Sequence, residues 1–430
     1  MRNIYTGIDL GSDNIKIVVA EYVENKFQVL AATSVKSLGT KKGLIVDHEM
    51  ALRSLNQAIY EIERILGIRI NKALVTVPSN NRGIKVVSGT VETNGSVNGK
   101  DIVSVLQNAS ENQIDEENVL VSIVPILFSA DGEKYIKDPV GLAVDKLTVK
   151  ALLATAPKKQ IYDYLSIFSE ANVEVEDITF NCISDYYEAR NKKTEETIGA
   201  IINVGNDKTD VSIFNKGILI KNKIFNLGSR NVDNDITYIY GTDSNASRDL
   251  KEKFAQASKK YADVNEVLEY ETEQGEKKTI NQYEITEVVE ARLLELLKLA
   301  KKEINDLTNK KISYIIVTGG ISELNGFGSI VEDVFGLDGS VLNITTMGIR
   351  SNKYSSAIGI IKYFHEKMKL REKNISLISE DKIKEIEENK QSMLDLTEET
   401  FISKIFGYFS WYTRRELNVW WIRNGPISQD

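Results

Sequence analysis

The chain is poor in the residues that build metal sites, disulfide frameworks and many catalytic centres. One cysteine, Cys182, and two histidines, His48 and His365, occur in 430 residues. A single cysteine excludes an intrachain disulfide framework and fits a reducing compartment. So few cysteines and histidines argue against a zinc site and against a Cys/His or Ser/His/Asp catalytic centre.

The chain also lacks an excess of positive charge and a long apolar run. Its 54 basic and 62 acidic residues give a net charge of −8, which argues against generic nucleic-acid binding. The longest apolar run, 119–128, is interrupted by Ser122 and Pro125 and is too short to span a bilayer. The N-terminus leads directly into a strand pattern, so we expect no signal peptide. The hydrophobic content of 42% is ordinary for a globular chain of two or more domains.

A polar turn near the N-terminus separates two apolar, strand-like segments. The stretch GIDLGSDNIKI, residues 7–17, predicts a β-hairpin whose turn is rich in the residues that turns prefer. This turn is either purely structural or a phosphate site, because successive backbone N–H groups in a tight turn form a nest for anionic oxygens. Ser12 adds a hydroxyl and Lys16 a positive charge. Asp9, at the end of a buried strand, has the chemistry to hold hydrated Mg²⁺.

Two further glycine turns follow similar apolar strands. The segment GAIINVGNDKTDVSIF, 199–214, has the pattern of YTGIDLGSDNIKIVVA, 5–20, and this internal echo predicts two halves of similar design. Two hairpin turns that face one another would clamp a phosphate chain from both sides. The third segment, YIIVTGGISELNGF at 314–327, is an apolar strand, a Gly-Gly turn and Ser322 as the predicted N-cap of a short helix.

Helical and linker segments are indicated by apolar spacing and by composition. The spacing predicts helices at 47–68, 246–258 and 286–307. Residues 371–399 are highly charged and free of aromatics, which predicts a mobile linker, and a tail rich in aromatics follows.

In this order, the three glycine turns resemble the phosphate-1, phosphate-2 and adenosine motifs of the actin-like ATPase superfamily. The segment SRDLKEKFAQA, 247–257, resembles the superfamily helix whose Lys and Glu flank the nucleoside. The insertion at about 82–160 contains IKDPVGLAVDKLTVKALLATAP, which resembles the 1C subdomain of the FtsA family of bacterial cell-division proteins. The segment EARLLELLKLAKKEI, 290–304, resembles a helix of that family's 2B subdomain.

The resemblance implies an α/β, actin-like (ribonuclease H-like) two-lobed ATPase fold with an FtsA-type 1C insertion and a C-terminal amphipathic helix. The implied domains are subdomain 1A at 1–81 and 161–194, subdomain 1C at 82–160, subdomain 2A at 195–230 and 305–370, subdomain 2B at 231–304, a charged flexible linker at 371–397 and an amphipathic membrane-targeting tail at 398–430.

The resemblance also implies ATP and Mg²⁺ as cofactors. Asp9 and Asn203 stand at the catalytic positions, and Asp9 would bind Mg²⁺ through water. Without the other motifs, Lys251 and Glu252 would be interpreted as a solvated helix face. The implied nucleotide-binding residues are Gly11, Ser12, Asp13, Asn14, Lys16, Gly205, Asn206, Asp207, Lys208, Thr209, Lys251, Glu252, Gly319, Gly320 and Ile321.

The phosphate-2 turn departs from the superfamily pattern at Asn203, where the motif usually has Asp. An Asn keeps hydrogen bonding but removes a negative charge next to the metal, so metal positioning and water activation suffer more than binding. We therefore predict nucleotide binding with slow or absent hydrolysis, at most a weak Mg-dependent ATPase. Asp207 either replaces part of the missing charge or is a solvated turn carboxylate.

Membership of the FtsA family would also imply partners and a location. Proteins of this family are cytoplasmic, form actin-like protofilaments and tether filaments of the tubulin-like protein FtsZ to the membrane at the division septum. The FtsZ C-terminal peptide is implied to bind subdomain 2B, with Arg292 and Glu295 as candidate contacts. The alternative is that these two residues form an i,i+3 surface pair. Later division proteins are implied to bind 82–160, and no nucleic-acid partner is expected.

The tail pattern predicts an interfacial helix on an anionic membrane. Taken as a helix, ETFISKIFGYFSWYTRR places apolar and aromatic side chains on one broad face, with cations beside or beyond it. The alternative is a helix that packs back on the body. The predicted membrane-contacting residues are Phe401, Ile402, Ile405, Phe406, Phe409, Trp411 and Tyr412.

Three other functions of the same fold remain open from the sequence. A small-molecule kinase would need a catalytic carboxylate in a substrate cleft, and no segment points to one. A chaperone would need a substrate-binding domain after the ATPase core, where this chain has mostly charged linker. A pilus-assembly adaptor of the same body normally lacks the aromatic tail.

Overall fold

Two similar β-sheets and one inserted sheet organise the computed structural model, which describes residues 2–79, 83–132 and 134–386. The predicted tail, its membrane-contacting residues and the end of the predicted linker lie outside the described residues. The strands are β1 Asn3–Leu10, β2 Asn14–Val23, β3 Lys26–Lys36, β4 Thr40–Lys41, β5 Leu44–Ile45, β6 Lys72–Val77, β7 Gly83–Glu92, β8 Asn118–Ala130, β9 Lys134–Ile136, β10 Lys146–Pro157, β11 Glu174–Phe180, β12 Ile198–Val204, β13 Thr209–Asn215, β14 Ile218–Phe225, β15 Val267–Glu271, β16 Lys277–Asn281, β17 Tyr314–Thr318 and β18 Gly339–Val341.

The helices connect and cover these sheets. They are α1 His48–Leu66, α2 Gly99–Ser110, α3 Lys158–Glu170, α4 Asn181–Ala189, α5 Lys192–Glu196, α6 Ser229–Tyr240, α7 Ser244–Asp249, α8 Gln282–Leu307, α9 Phe327–Phe335 and α10 Ser355–Leu370. Within the described part of the chain, no helix is long and apolar enough to cross a bilayer.

The first lobe is built on a five-stranded sheet in the order β11-β6-β1-β2-β3. Strands β1 and β2 form the predicted antiparallel hairpin, and β6 runs parallel to β1 on its other side. All eight residues of β1 are buried, which fits its near-continuous apolar sequence. Helices α4 and α10 pack so closely that a Cβ on Gly359 would lie 1.8 Å from the carbonyl oxygen of Ser184. Only glycine fits at this position.

The second lobe repeats this arrangement in a sheet of order β14-β13-β12-β17-β18. Strands β12 and β13 form an antiparallel hairpin, and β17 runs parallel to β12. The two similar segments of the sequence therefore correspond to two sheets of the same design. In each sheet, a β-hairpin is flanked by a strand parallel to its first strand. Apolar residues of α6, α8 and α9 join this sheet in one core cluster, which includes Val232, Leu293 and Ile330.

The inserted sheet has the order β7-β10-β8-β9 and occupies the segment that the sequence analysis assigned to an insertion. Helix α2 covers it and packs in a separate core with Ile102, Val105, Phe128 and Leu153. A capping box at Asn98 and Asp101 begins this helix.

Residues 371–378 are held by hydrogen bonds, although the sequence analysis assigned them to a flexible linker. Glu372 accepts the N–H of Gly99 at the start of α2, at 2.8 Å. The N–H of Leu377 donates to the carbonyl of Ile4 in β1, also at 2.8 Å. The prediction that a flexible linker begins at 371 is therefore wrong, because this stretch forms hydrogen bonds with backbone groups of α2 and β1. Within the described residues, 379–386 form a second unit with residues 63–69, in which Lys382 donates to the carbonyl of Arg69.

Two of the predicted helix features differ from the observed ones. The helix predicted at 246–258 ends earlier, because α7 passes into a π-helical turn, Leu250–Phe254, after which Ala255 is extended. The predicted cap Ser322 lies inside a 3₁₀ turn, Gly320–Glu323, and its hydroxyl donates to the carbonyl of Gly319 at 2.7 Å. Ser322 therefore stabilises the glycine turn and does not cap α9.

Candidate functional site

The turn between β1 and β2 leaves backbone donors unused. The N–H of Gly11 donates to the carbonyl of Asn14 at 3.2 Å, which closes the turn. Among the hydrogen bonds of the described residues, none uses the N–H of Ser12 or of Asp13. Two adjacent free N–H groups in a tight turn form the kind of nest that binds anionic oxygens. The structure thus favours the phosphate interpretation of this turn over a purely structural one.

The turn between β12 and β13 has the same construction. The N–H of Gly205 donates to the carbonyl of Lys208 at 2.9 Å. Within the described residues, no hydrogen bond uses the N–H of Asn206 or Asp207. The hydroxyl of Thr209, also predicted to bind nucleotide, donates to the carbonyl of Leu227 at 2.8 Å. The two echoed segments therefore supply equivalent pairs of backbone donors.

One short segment connects the two turns, and the sequence analysis missed it. The N–H of Gly43 donates to the hydroxyl of Ser12 at 3.0 Å, and the N–H of Lys42 donates to the carboxylate of Asp207 at 3.1 Å. Neighbouring residues thus bond to both turns, so the turns lie on either side of one narrow space. The two glycines of the sequence GTKKG were a usable signal, because glycine favours tight hairpin turns, and Gly39 and Gly43 both take positive φ angles here.

Asp9 and Lys16, predicted separately, form one polar cluster at the ends of β1 and β2. Lys16 Nζ lies 2.9 Å from Oδ2 of Asp9. Oδ1 of Asp9 accepts hydrogen bonds from Thr76 at 3.0 Å and Asn181 at 2.9 Å. Asp9 is 8% exposed. Its carboxylate is oriented by these three donors and retains lone pairs that can accept from water. Thr76 and Asn181 were not predicted, because neither belongs to a glycine turn.

Asn203 is held by a carboxylate that the sequence analysis missed. Its Nδ2 donates to Oδ2 of Asp185 at 2.6 Å. Oδ1 of Asp185 accepts hydrogen bonds from the hydroxyls of Ser355 and Ser356, each at 2.8 Å. Burial raises the pKa of Asp185 to about 6, against the opposing effect of these hydrogen bonds. The carboxylate absent from position 203 therefore lies directly beside it, on α4.

The interpretation of Asp207 as a solvated turn carboxylate is wrong. Its side chain is 6% exposed, and its Oδ1 lies 2.7 Å from Nε of Arg230. The backbone N–H groups of Ser229 and Arg230 donate in turn to the carbonyls of Gly205 and Asn206. The start of α6 thus holds the turn, and Arg230 compensates the charge of Asp207.

Lys251 is not part of a solvated helix face either. It is 3% exposed and lies 2.6 Å from the carboxylate of Asp233. Glu252 beside it is exposed at 55% of its side chain. Arg248 in the same segment lies 2.6 Å from Asp13, and so connects the second lobe to the first turn. Burial acts to raise the pKa of Asp13, but hydrogen bonds from Lys36 and Arg248 outweigh it and lower the pKa below its ordinary value.

The Gly-Gly turn after β17 packs against β12. Gly319 has φ +110, and a Cβ there would lie 2.2 Å from the carbonyl oxygen of Val204, so only glycine fits. Ile321 is 5% exposed and belongs to the core of the second lobe. A nucleotide at this turn would therefore meet the backbone of Gly320 and Ile321 and not the isoleucine side chain.

Arg292 and Glu295 form the predicted i,i+3 pair on α8, at 2.5 Å. Arg292 also makes two hydrogen bonds to the carboxylate of Asp235 on α6, at 2.5 and 2.8 Å. The predicted i,i+3 ion pair is thus present, and Arg292 additionally connects α8 to α6. The partner-binding role of these residues stays a prediction.

The residues present fit a magnesium nucleotide. Two pairs of free backbone N–H groups, together with Lys16, supply donors and positive charge for phosphates. Asp9 supplies an oriented carboxylate of the type that holds Mg²⁺ through water. Among the described residues, no group of three or more His, Cys, Asp or Glu side chains is placed to hold a metal ion.

The repeated lobes and the paired turns define this protein as a member of the actin-like fold class. The PilM–PilN type IV pilus biogenesis complex matches with a TM-score of 0.56 and 14% identity, covering 83% of this chain and 97% of that one. MreB 5 of Spiroplasma citri bound to AMPPNP matches with a TM-score of 0.52 and 14% identity, covering 85% and 97%. At these identities the likeness shows the fold alone, and the predicted fold is confirmed.

Sequence comparisons then identify the branch. Residues 200–359 match the family model of cell division protein FtsA, and residues 79–155 match the model of the SHS2 domain inserted in FtsA. Cell division protein FtsA of Bacillus subtilis (strain 168) is 26% identical over 391 residues, which cover 90% of this chain and 89% of the relative. FtsA of Enterococcus hirae is 26% identical over 366 residues, covering 84% and 83%. The chain belongs to the FtsA family of cell-division proteins, as its motifs predicted.

Proposed function

We propose that this protein is a nucleotide-binding, actin-like cell-division protein that polymerises and tethers FtsZ filaments to the cytoplasmic face of the membrane at the septum. The observation that carries the proposal is the pair of turns with free N–H groups, connected through Lys42 and Gly43, in a chain of the FtsA family. Family membership favours this role over the kinase, chaperone and pilus-adaptor alternatives.

The nucleotide is ATP, bound between the two lobes with Mg²⁺. The free N–H groups of the two turns bind phosphate oxygens, and Lys16 adds a positive charge while it neutralises Asp9. When bound, Mg²⁺ supplies charge neutralisation of the phosphates and a polarised water. Asp9 would hold the ion through water, and Asn203 offers a neutral amide where the motif usually has a carboxylate. Hydrolysis is therefore slow, while binding is retained.

The tether has two further parts, a partner site and a membrane anchor. The FtsZ C-terminal peptide would bind subdomain 2B near Arg292 and Glu295, whose side chains are 25% and 60% exposed. The tail 398–430 would lie in the membrane interface, because its pattern combines aromatics, aliphatics and cations. Protofilament formation would multiply these anchors and raise avidity without any new contact.

Replacing Lys16 with Ala is expected to weaken Mg-ATP binding by roughly tenfold or more, because the substitution removes a phosphate partner and leaves Asp9 without its cation. Fluorescence anisotropy of a labelled ATP analogue measures the affinity. Lys26→Ala, at the exposed start of β3, removes the same charge away from the turns and should bind like the parent. Unchanged affinity in Lys16→Ala would contradict the proposed site.

A further inference from the structure

A groove of about 660 Å³ lies beside β14, and we call it the β14 groove. Residues 220–224 of β14 line it, together with Lys42, Lys208 and Leu44. The side chains of a strand alternate between two faces of its sheet. A groove lined by consecutive residues therefore lies along the edge of the strand and not on one face.

The edge of β14 is unpaired within the described chain. This strand is the last in its sheet and pairs on one side with β13. Among the described residues, no backbone group of Ile218–Phe225 forms a hydrogen bond outside that pair. Such an edge is a template on which an extended chain adds as a further strand.

The β14 groove is positively charged. The lining includes Lys42, Lys208, Lys221 and Lys223 and, among the described residues, no Asp or Glu. Burial lowers the pKa of Lys208 to about 8, and repulsion from Lys42 acts in the same direction, against the attraction of Asp210 and Asp207. An anionic occupant would relieve this repulsion.

Two nearby carboxylates, Asp210 and Asp207, act on Lys208 and raise its pKa against the effect of burial. Asp207 is engaged by Arg230 and by the N–H of Lys42. Asp210 accepts hydrogen bonds from the side chains of Ser212 and Asn222. The charge that would select an acidic partner is therefore that of Lys221 and Lys223, which are both exposed, and not that of Lys208.

Apolar side chains alternate with the lysines along the groove. Ile220 is 42% exposed and Leu44 is 43% exposed, although both are large and aliphatic. On β14, Lys221 and Lys223 lie on one face of the strand, and Ile220, Asn222 and Ile224 lie on the other. A strand laid on this edge would meet cationic and apolar neighbours in turn, which suits alternating acidic and apolar side chains.

We propose that the β14 groove binds an extended acidic peptide segment of a partner protein, which adds to the sheet as a strand beside β14. Main-chain hydrogen bonds along the edge give affinity, and Lys221 and Lys223 select acidic side chains. The site is separate from the candidate FtsZ contacts on α8, and it does not depend on the proposed membrane tether.

The test uses the full chain with saturating Mg-ATP, so that the probe does not compete for the phosphate turns. A short fluorescent peptide of alternating Glu and Val should bind, and Lys221→Glu/Lys223→Glu should weaken it by roughly tenfold or more. Lys310→Glu/Lys311→Glu makes the same charge change at exposed positions outside the groove and should bind like the parent.

Strand addition is separated from simple anion binding by two further probes. The same peptide with alternate backbone nitrogens methylated should bind roughly tenfold more weakly, because it cannot complete the strand pairing. Inorganic tripolyphosphate should not displace the parent peptide at matched charge. Equal binding of the methylated peptide, displacement by tripolyphosphate, or insensitivity to the Lys221 and Lys223 substitutions would each overturn the proposal.

Discussion

Exchanging the residues at positions 185 and 203 is expected to raise ATP turnover, whereas changing position 203 alone is not. Asn203→Asp by itself would place two carboxylates at the position of a 2.6 Å hydrogen bond, and their repulsion would keep one of them protonated. The double variant Asp185→Asn/Asn203→Asp keeps one amide and one carboxylate in contact, with the charge now on β12. We expect its turnover to exceed the parent's by roughly tenfold, about 1.4 kcal/mol of transition-state stabilisation.

Phosphate release under saturating Mg-ATP measures this effect for the parent, both single variants and the double variant. The affinity for labelled ATP is the control, because the phosphates are held mainly by backbone N–H groups and should bind with similar affinity in all four. A tenfold gain in Asn203→Asp alone would contradict the repulsion argument. A double variant that turns over like the parent would show that the position of the carboxylate does not limit hydrolysis.

Asp185→Asn is expected to stabilise the fold at neutral pH by up to about 3 kcal/mol. Burial raises the pKa of Asp185 from 3.8 to about 6, and each pKa unit corresponds to about 1.36 kcal/mol. Between these two pKa values the native state binds a proton that the unfolded state does not. Stability contributed by this group therefore falls as pH rises from about 4 to 6 and stays reduced above that. The Asn side chain keeps the same shape and carries no charge to bury.

Urea unfolding at several pH values measures this difference. We expect Asp185→Asn to gain most above pH 7 and little near pH 4. Asp338→Asn, at an exposed position, is the matched control and should follow the parent at every pH. A destabilised Asp185→Asn at pH 8 would mean that the charged hydrogen bonds to Asn203, Ser355 and Ser356 outweigh the cost of burying the carboxylate.

The local features of the site could be predicted from the sequence, whereas the features that depend on contacts between distant segments could not. The glycine turns were predictable because glycine, aspartate and asparagine at the end of an apolar strand mark a tight turn wherever it lies. Asp185 was missed because its partners Asn203, Ser355 and Ser356 come together only when α4, β12 and α10 pack. The one local indication was the carboxylate itself, on a helix face whose other residues are typical of a buried core.

The errors at the ends of elements have a similar cause. The helix at 246–258 was predicted from apolar spacing, but Phe254 and Ala255 pack in the core of the second lobe, and the helix ends there. The charged stretch from 371 was read as linker, but Glu372 and Leu377 bond to elements that are distant in the chain. In both cases a tertiary contact overrides the local pattern.

The central claim, that this FtsA-family protein tethers a filament protein to membranes, is tested most directly by sedimentation with anionic liposomes. The comparison is between the full chain and a chain ending at residue 396, each with and without Mg-ATP and an FtsZ C-terminal peptide. The account predicts that the full chain pellets with the liposomes and carries the peptide with it, while the shorter chain stays in solution. If both chains stay in solution, or if the full chain pellets without the peptide, the tether proposal is contradicted.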